Sequence, residues 1–232
     1  MARFALRLIE KIDETHDTKT FRFALNGHNL DFLPGHFIMA NKMIDGKLVR
    51  RAYSISSSPL NKKSIDLTIK RVENGIFSNY MYDNANVGDS IDMDGPYGKF
   101  IYNDGSNGVV LISAGCGIAP LMSMARYIIE KGINVNVIML HSCKTPNDML
   151  FREEMLRIQE NNENFKYIVT ITRPTGFDWN GKTGRINEEL LRSIIKGGER
   201  FFVSGRVEFG HSIVSMLRNL GVKDENIKEE LF

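Results

Sequence analysis

Cysteine is nearly absent: Cys116 and Cys143 are the only two in 232 residues. Two thiols cannot supply the four ligands of an iron–sulfur cluster, and no Cys/His grouping has the spacing of a structural zinc site. Long apolar runs are missing too, and none approaches the ~20 residues that a membrane helix needs. The opening "MARFALRLIEKIDETHD" runs into charges instead of building a signal-peptide core. A cytoplasmic location is therefore expected, with no membrane partner. A reducing cytosol makes a Cys116–Cys143 disulfide unexpected. Any redox chemistry would need a bound organic cofactor or a partner.

What is present is ordinary globular material, 42% apolar and 25% charged, and 232 residues are comfortable for two domains. The net charge of +2 says little, but its distribution is uneven. Between Asn41 and Val72 lie Lys42, Lys47, Arg50, Arg51, Lys62, Lys63, Lys70 and Arg71, against Asp45 and Asp66. Such a segment is either a set of solvated strand faces or a positive surface for an acidic partner or a phosphate-bearing cofactor. Nucleic acid is disfavoured, because no exposed aromatics interleave with these charges and no helix-based reader is matched.

Two hydrophobic periods divide the chain. In the first hundred residues, "SIDLTIKRV" alternates Ile65, Leu67 and Ile69 with Asp66, Thr68 and Lys70, the pattern of a half-buried antiparallel strand. Frequent turn signals, among them Asn26-Gly27, Pro34-Gly35, Asp45-Gly46 and Asp94-Gly95-Pro96, predict many short strands and a small barrel. The linker is expected at "YNDGSNG", Tyr102 to Gly108, giving domains of residues 1–102 and 103–232. Beyond it, strand and helix alternate. "VVLIS", "NVNVIML", "FKYIVTIT", "RFFVSG" and "NIKEELF" predict a five-stranded, doubly wound parallel sheet. Helices are expected after "SAGCGIAP", from about Asp148 to Gln159, from an Asn187 cap with Glu188 and Glu189 in the first turn, and through Met216 and Leu217.

"SAGCGIAP", Ser113 to Pro120, joins the first buried strand to the first helix. In an open parallel sheet that loop faces a pyrophosphate, and Gly115 and Gly117 remove side chains that would block it. A plain tight turn would use the same glycines. No carboxylate follows the second strand before Asp148, whereas the third strand ends in Thr172 and Arg173. A hydroxyl and a guanidinium suit a 2′-phosphate better than a free ribose hydroxyl, which favours NADPH over NADH. Arg173 as a loop cap is the alternative.

The ordered set "PGHFI", "RAYSISS", "LTIKRVENGIFSNY", "DGPYGKF", "SAGCGIAP", "TR" and the terminal "EELF" resembles the ferredoxin–NADP reductase superfamily over essentially the whole chain. That resemblance implies an antiparallel Greek-key flavin barrel followed by the parallel NADP(H)-binding sheet. It implies that Arg51 pairs with the FAD pyrophosphate, with Ala52 beside it, that Tyr53 lies against the isoalloxazine ring, and that Ser54 bonds near the reactive ring nitrogen. Ile69 and Lys70 would touch the flavin through backbone groups. Gly75, Ile76, Phe77 and Ser78 would open a helix toward the pyrophosphate, with Ser78 as a plain helix cap as the alternative. Gly115, Cys116 and Gly117, together with Thr172, Arg173 and Gly205, would hold NADPH. Phe232 would cover the flavin face that the nicotinamide must reach, Glu230 would assist proton or electron delivery, and Ser204 would lie beside the nicotinamide.

One departure stands out. The family's Cys-Gly-Pro is here Ser204-Gly205-Arg206, and "SGRVEF" with "DWNGKTGR" looks more like the superfamily's NAD(P)H–flavin reductases. The implied function is hydride transfer from NADPH to FAD and electron delivery to a separate acceptor, an acidic ferredoxin being expected. The alternatives are a flavin reductase and an electron-transfer subunit of a larger enzyme. No metal is expected, and the oligomeric state is not written in the sequence.

Overall fold

The computed structural model describes residues 2–103, 105 and 107–232. Of the expected linker, Asp104 and Ser106 lie outside the described residues. Contacts group the chain into two compact units, Met1–Tyr102 with Met122–Lys131, and Asn103–Leu121 with Gly132–Phe232. The sequence-based boundary assigns the first helix of the second half wholly to that half, whereas contacts group its later turns with the first. Ser123 Oγ and Arg126 Nη1 donate to the Ser57 and Ser56 carbonyls, both at 2.7 Å.

The first unit is built from β1 (Ala2–Thr15), β2 (Thr18–Ala24), β3 (Phe37–Ile44), β4 (Lys47–Ser54), β5 (Ser64–Lys70), a one-turn helix α1 (Ile76–Asn79) and β6 (Ser90–Tyr97). The antiparallel order is β4-β3-β6-β1-β2-β5, so the late strand β6 inserts between the two earlier hairpins in Greek-key fashion. The sheet curls until its edges meet, where Ile55 bridges Leu67 and Ser56 N donates to Asp66 O at 2.9 Å. Leu6, Leu8, Phe21, Phe23, Ile38, Ile65, Leu67, Ile91 and Met93 form its buried core.

β5 is not half-exposed as its alternation predicts, since Ser64 to Ile69 are all buried. Partners cover its polar face. Arg22 grips Asp66 with two bonds of 2.8 and 3.0 Å, and Thr68 Oγ1 lies 2.9 Å from Thr20 Oγ1 and 3.0 Å from Ser56 Oγ. Buried polar groups persist where they are paired in this way.

The second unit contains β7 (Gly108–Ala114), β8 (Asn136–Cys143), β9 (Phe165–Ile171), β10 (Lys182–Thr183), β11 (Arg200–Gly205) and β12 (Ile227–Leu231). Its helices are the latter α3 (Arg152–Asn161), α4 (Glu188–Arg192) and α5 (Val207–Asn219), while α2 (Ile118–Glu130) begins in this unit. The order β10-β9-β8-β7-β11-β12 is parallel throughout. It adds one strand to the five expected: β10 is two residues long, too short to show a period in sequence, and pairs with Thr170 and Ile171. α3 begins at Arg152 rather than near Asp148. Asp148 instead caps a separate turn, accepting from Thr145 N (2.9 Å) and Oγ1 (2.6 Å), and Phe151 at φ 55° breaks the helical path. Asn187 caps α4 as expected, its Oδ1 accepting from Leu190 N at 2.9 Å.

One sheet face, with Val110, Ile112, Leu140, Phe201 and Val203, packs against Leu191 of α4 and Ile213, Val214 and Leu217 of α5. Each such side chain contributes about 1.5–3 kcal/mol on burial. No helix among the described residues is long and apolar enough to cross a membrane.

Candidate functional site

The barrel seam is closed at one point and open beyond it. β4 and β5 are the sheet's two edges, and Ile55–Leu67 is the bridge between them. Continuing that antiparallel pairing would oppose Ser54 to Thr68, Tyr53 to Ile69 and Ala52 to Lys70, but these strands do not pair there. The stretch beyond the bridge brings together the barrel residues that the sequence singles out. Lys70 Nζ is engaged by Asp17, so what Lys70 offers to the seam is its backbone.

α1 stands beside β4, and the Tyr53 ring lies 5.6 Å from buried Phe77. Arg51 shares a strand face with Tyr53. Its guanidinium is exposed, with Nη1 donating to the Arg50 carbonyl at 2.7 Å. Ser54 is half-buried. Ser78 is not the helix cap; Gly75 is, with no side-chain bond. A Cβ on Gly75 would lie 2.3 Å from Ser78 Oγ and 3.1 Å from Val72 O, so glycine lets this turn close. The amides of a first helical turn lack intrahelical acceptors and attract anions. With Arg51 nearby, the donor set fits a pyrophosphate, and the open seam beside Tyr53 fits a flat ring.

In the second unit, the predicted residues gather at the carboxyl edge of the sheet. Gly115 takes φ +51°, and Gly117 passes so near β11 that a Cβ would meet Ser204 O at 2.2 Å. Cys116 is half-buried and Cys143 buried, and neither is in a disulfide. β12 is a true strand, pairing Ser204 with Glu230 and Gly205 with Leu231, and Phe232 N donates to Gly205 O at 3.1 Å. Gly210 of α5 admits Leu231, whose Cδ2 lies 2.0 Å from where a Cβ would sit. The carboxyl end is thus docked, and the Phe232 side chain is exposed.

Thr172 is less available than its sequence position suggests. Its hydroxyl donates to the Cys143 carbonyl at 3.2 Å, which leaves the exposed Arg173 guanidinium as the more available polar group at that edge. The basic segment of the barrel is also less positive than its sequence. Lys62, Arg50, Lys70 and Arg71 pair with Asp31, Asp94, Asp17 and Asp83 from elsewhere in the fold. Burial raises the Asp94 carboxyl, but bonds from Asn41 and Tyr97 and the charges of Arg50 and Arg3 outweigh it and hold the group below its usual range.

Two residues at this edge escape sequence reasoning. Register places Ser204, Ser113 and His141 side by side across β11, β7 and β8, all fully buried. Ser113 Oγ and Ser204 Oγ have no hydrogen-bond partner. For Ser113, its place just before the Gly115–Gly117 loop was the available signal; linking it to His141 requires knowing the strand order.

The oxidoreductase FAD-binding domain family matches residues 5–102, and the oxidoreductase NAD-binding domain family matches residues 111–214. The chain carries an oxidoreductase FAD-binding domain followed by an oxidoreductase NAD-binding domain, and its fold is that of the ferredoxin reductases. It is 33% identical over 235 residues to the glycine betaine monooxygenase reductase subunit of Pseudomonas aeruginosa, covering 99% of this chain and 64% of that relative's length. The FAD/NAD-binding domain of nitric oxide dioxygenase from Vibrio cholerae shares the fold with a TM-score of 0.90 at 24% identity, with 98% of each chain covered. A ferredoxin–NADP+ reductase from Neisseria gonorrhoeae, with bound FAD and NADP, gives 0.84 at 19% identity, over 100% of this chain and 99% of that one.

Proposed function

We propose that this chain is a cytoplasmic reductase that takes hydride from NADPH onto FAD and passes electrons to a separate redox protein, with residues 1–102 holding the flavin and 103–232 the nicotinamide nucleotide. The observation that carries the proposal is the open seam beside Tyr53, flanked by the Arg51 guanidinium and the first turn of α1. FAD, when bound, supplies both hydride acceptance and one-electron release. The forked donor of Arg51 suits the pyrophosphate, with the amides of Gly75 to Ser78 as a second contact. Tyr53 offers an aromatic face, and Ser54 both donates and accepts, as oxidised and reduced rings require. Ala52, Ile69 and Lys70 offer backbone groups along the seam.

On the sheet, the Gly115–Cys116–Gly117 loop takes the nucleotide pyrophosphate, Arg173 with Thr172 takes the 2′-phosphate, and Ser204 and Gly205 border the nicotinamide. Glu230 assists proton movement, and Phe232 is the ring that the nicotinamide replaces. The Pseudomonas relative is named a monooxygenase reductase subunit, which supports an iron–sulfur protein or oxygenase component as acceptor. Because half the basic segment is internally paired, an acidic ferredoxin would meet chiefly Lys47, Lys63 and Lys42.

The test is anaerobic stopped-flow mixing of the purified yellow protein with NADPH and NADH. Rapid bleaching of the flavin, faster with NADPH, is expected, and reoxidation should follow addition of ferredoxin; flavin that stays oxidised refutes the proposal. Ser204-Gly205-Arg206 favours a second reading, a reductase for which flavin is a diffusing substrate. Under that reading, the protein would lose its colour during gel filtration.

A further inference from the structure

We propose that His141 is a positioning residue for the nucleotide loop: by holding the Gly115 carbonyl from beneath, it aims the Cys116 amide outward at the pyrophosphate. This rests on the reading of Gly115–Gly117 as the pyrophosphate loop.

His141 sits near the end of β8 with no exposed surface, and its Nε2 lies 3.3 Å from Gly115 O. A carbonyl can only accept, so Nε2 carries the proton and Nδ1 is left as an acceptor. The Cys143 thiol stands at similar distances from both ring nitrogens, 3.5 Å from Nδ1 and 3.6 Å from Nε2, so it is the Gly115 carbonyl that selects the Nε2–H tautomer. Burial lowers the imidazole to about 4 against the opposing pull of the Gly115 bond, and raises the thiol to about 12, so both groups keep these roles at neutral pH.

Gly115 O also accepts from Ile118 N, which fills its second lone pair. The peptide group between Gly115 and Cys116 is planar and trans, so an oxygen directed inward sends the Cys116 N–H the opposite way. That restraint matters because Gly115, at φ +51° with nothing within 4 Å of a Cβ position, has no side-chain packing to add to the Ile118 bond. Glycine samples both signs of φ at little cost, and without the pin the peptide plane could turn over. An anion site made of backbone amides works only when those amides already point at the anion.

The experiment compares ADP, which carries a pyrophosphate, with AMP, which does not, by isothermal titration against the full-length protein and its variants. His141→Gln keeps a donor close to the Nε2 position, whereas His141→Asn places its amide near Nδ1 and loses the bond. The expected result is roughly three- to tenfold weaker ADP binding by His141→Asn, the scale of one hydrogen bond. AMP binding should be unchanged, and His141→Gln should stay close to wild type. Equal ADP affinity in all three proteins, or parallel losses for ADP and AMP, would overturn the inference. Wild-type protein that binds no ADP would overturn the loop assignment and the inference with it. Nitrogen-15 NMR of the unmutated protein is independent of variant folding: the Nε2–H tautomer is expected, and an Nδ1–H tautomer overturns the inference.

Discussion

Gly117→Ala puts a single methyl group where the loop and β11 touch. The added Cβ would lie 2.2 Å from Ser204 O, 2.5 Å from Ser204 C and 2.8 Å from Gly205 N, all of them backbone atoms. Carbon contacts are comfortable at about 3.5 Å, so relief requires the loop and the strand end to separate by roughly 1 Å. No side chain can rotate away to absorb this. Overpacking costs about 1–3 kcal/mol, and backbone on backbone belongs at the upper end. At about 2–4 °C per kcal/mol for a protein of this size, the melting temperature should fall by about 5–10 °C. The functional loss should be larger, because misplacing a site by ~1 Å costs on the order of 100-fold in rate. Gly115→Ala is the control: it meets nothing within 4 Å and carries only the left-handed backbone penalty of about 1–2 kcal/mol. Thermal unfolding and anaerobic flavin reduction on both variants separate the two effects. A Gly117→Ala protein that melts and reduces like wild type would refute this account of the loop.

Arg173→Ala should lower NADPH affinity at least tenfold and leave NADH nearly unchanged, as steady-state KM values would report; an unaltered preference removes Arg173 from the 2′-phosphate site. Deleting Phe232 should change the rate of flavin reduction by NADPH in stopped flow, and equal rates would deny that ring a gating role. The buried His141 also predicts a pH dependence. Its folded pKa, about 4, lies below the ordinary 6.5, so the unfolded chain binds the proton first as the pH falls. Stability is whole above pH 6.5 and declines toward pH 4, by about 3 kcal/mol from this group. His141→Gln should flatten that difference in denaturant titrations at pH 7 and pH 4.5, and identical slopes would contradict it.

Much of this architecture was legible because period and punctuation agree in the sequence. Alternation marked β5 as a strand, the succession of strand and helix marked the second half, and Asn187 with its acidic first turn announced α4 correctly. The misreadings have local causes. β5 looked half-exposed because a strand pattern cannot show that Arg22 and Thr20 will cover Asp66 and Thr68. β10 was too short to carry a period. The α3 start was misplaced because Asp148 carries a cap signal that serves a different turn. Positive charge is overcounted between Asn41 and Val72, since Asp17, Asp31, Asp83 and Asp94 arrive from elsewhere in the fold. Charge patterning along a chain cannot anticipate such pairing.

The least legible feature is the row across the sheet, and it bears most directly on the chemistry. Ser113, Ser204 and His141 are separated by 28 to 91 positions in sequence yet become neighbours through parallel register alone. Packing by itself would favour alanine or valine at both serines, because a buried hydroxyl without a partner costs about 1–3 kcal/mol. These two orphan hydroxyls are neighbours across β7 and β11 at the carboxyl edge, and Ser204 pairs with Glu230 on its other side; the Tyr167 hydroxyl of β9 is another buried orphan in this sheet. Two adjacent unsatisfied hydroxyls at a carboxyl edge are what a site completed by its ligand would leave in the free protein. On the same logic, the family's thiol position can be a serine here: a hydroxyl unsatisfied by the protein is a stronger partner for an incoming polar group than a thiol would be.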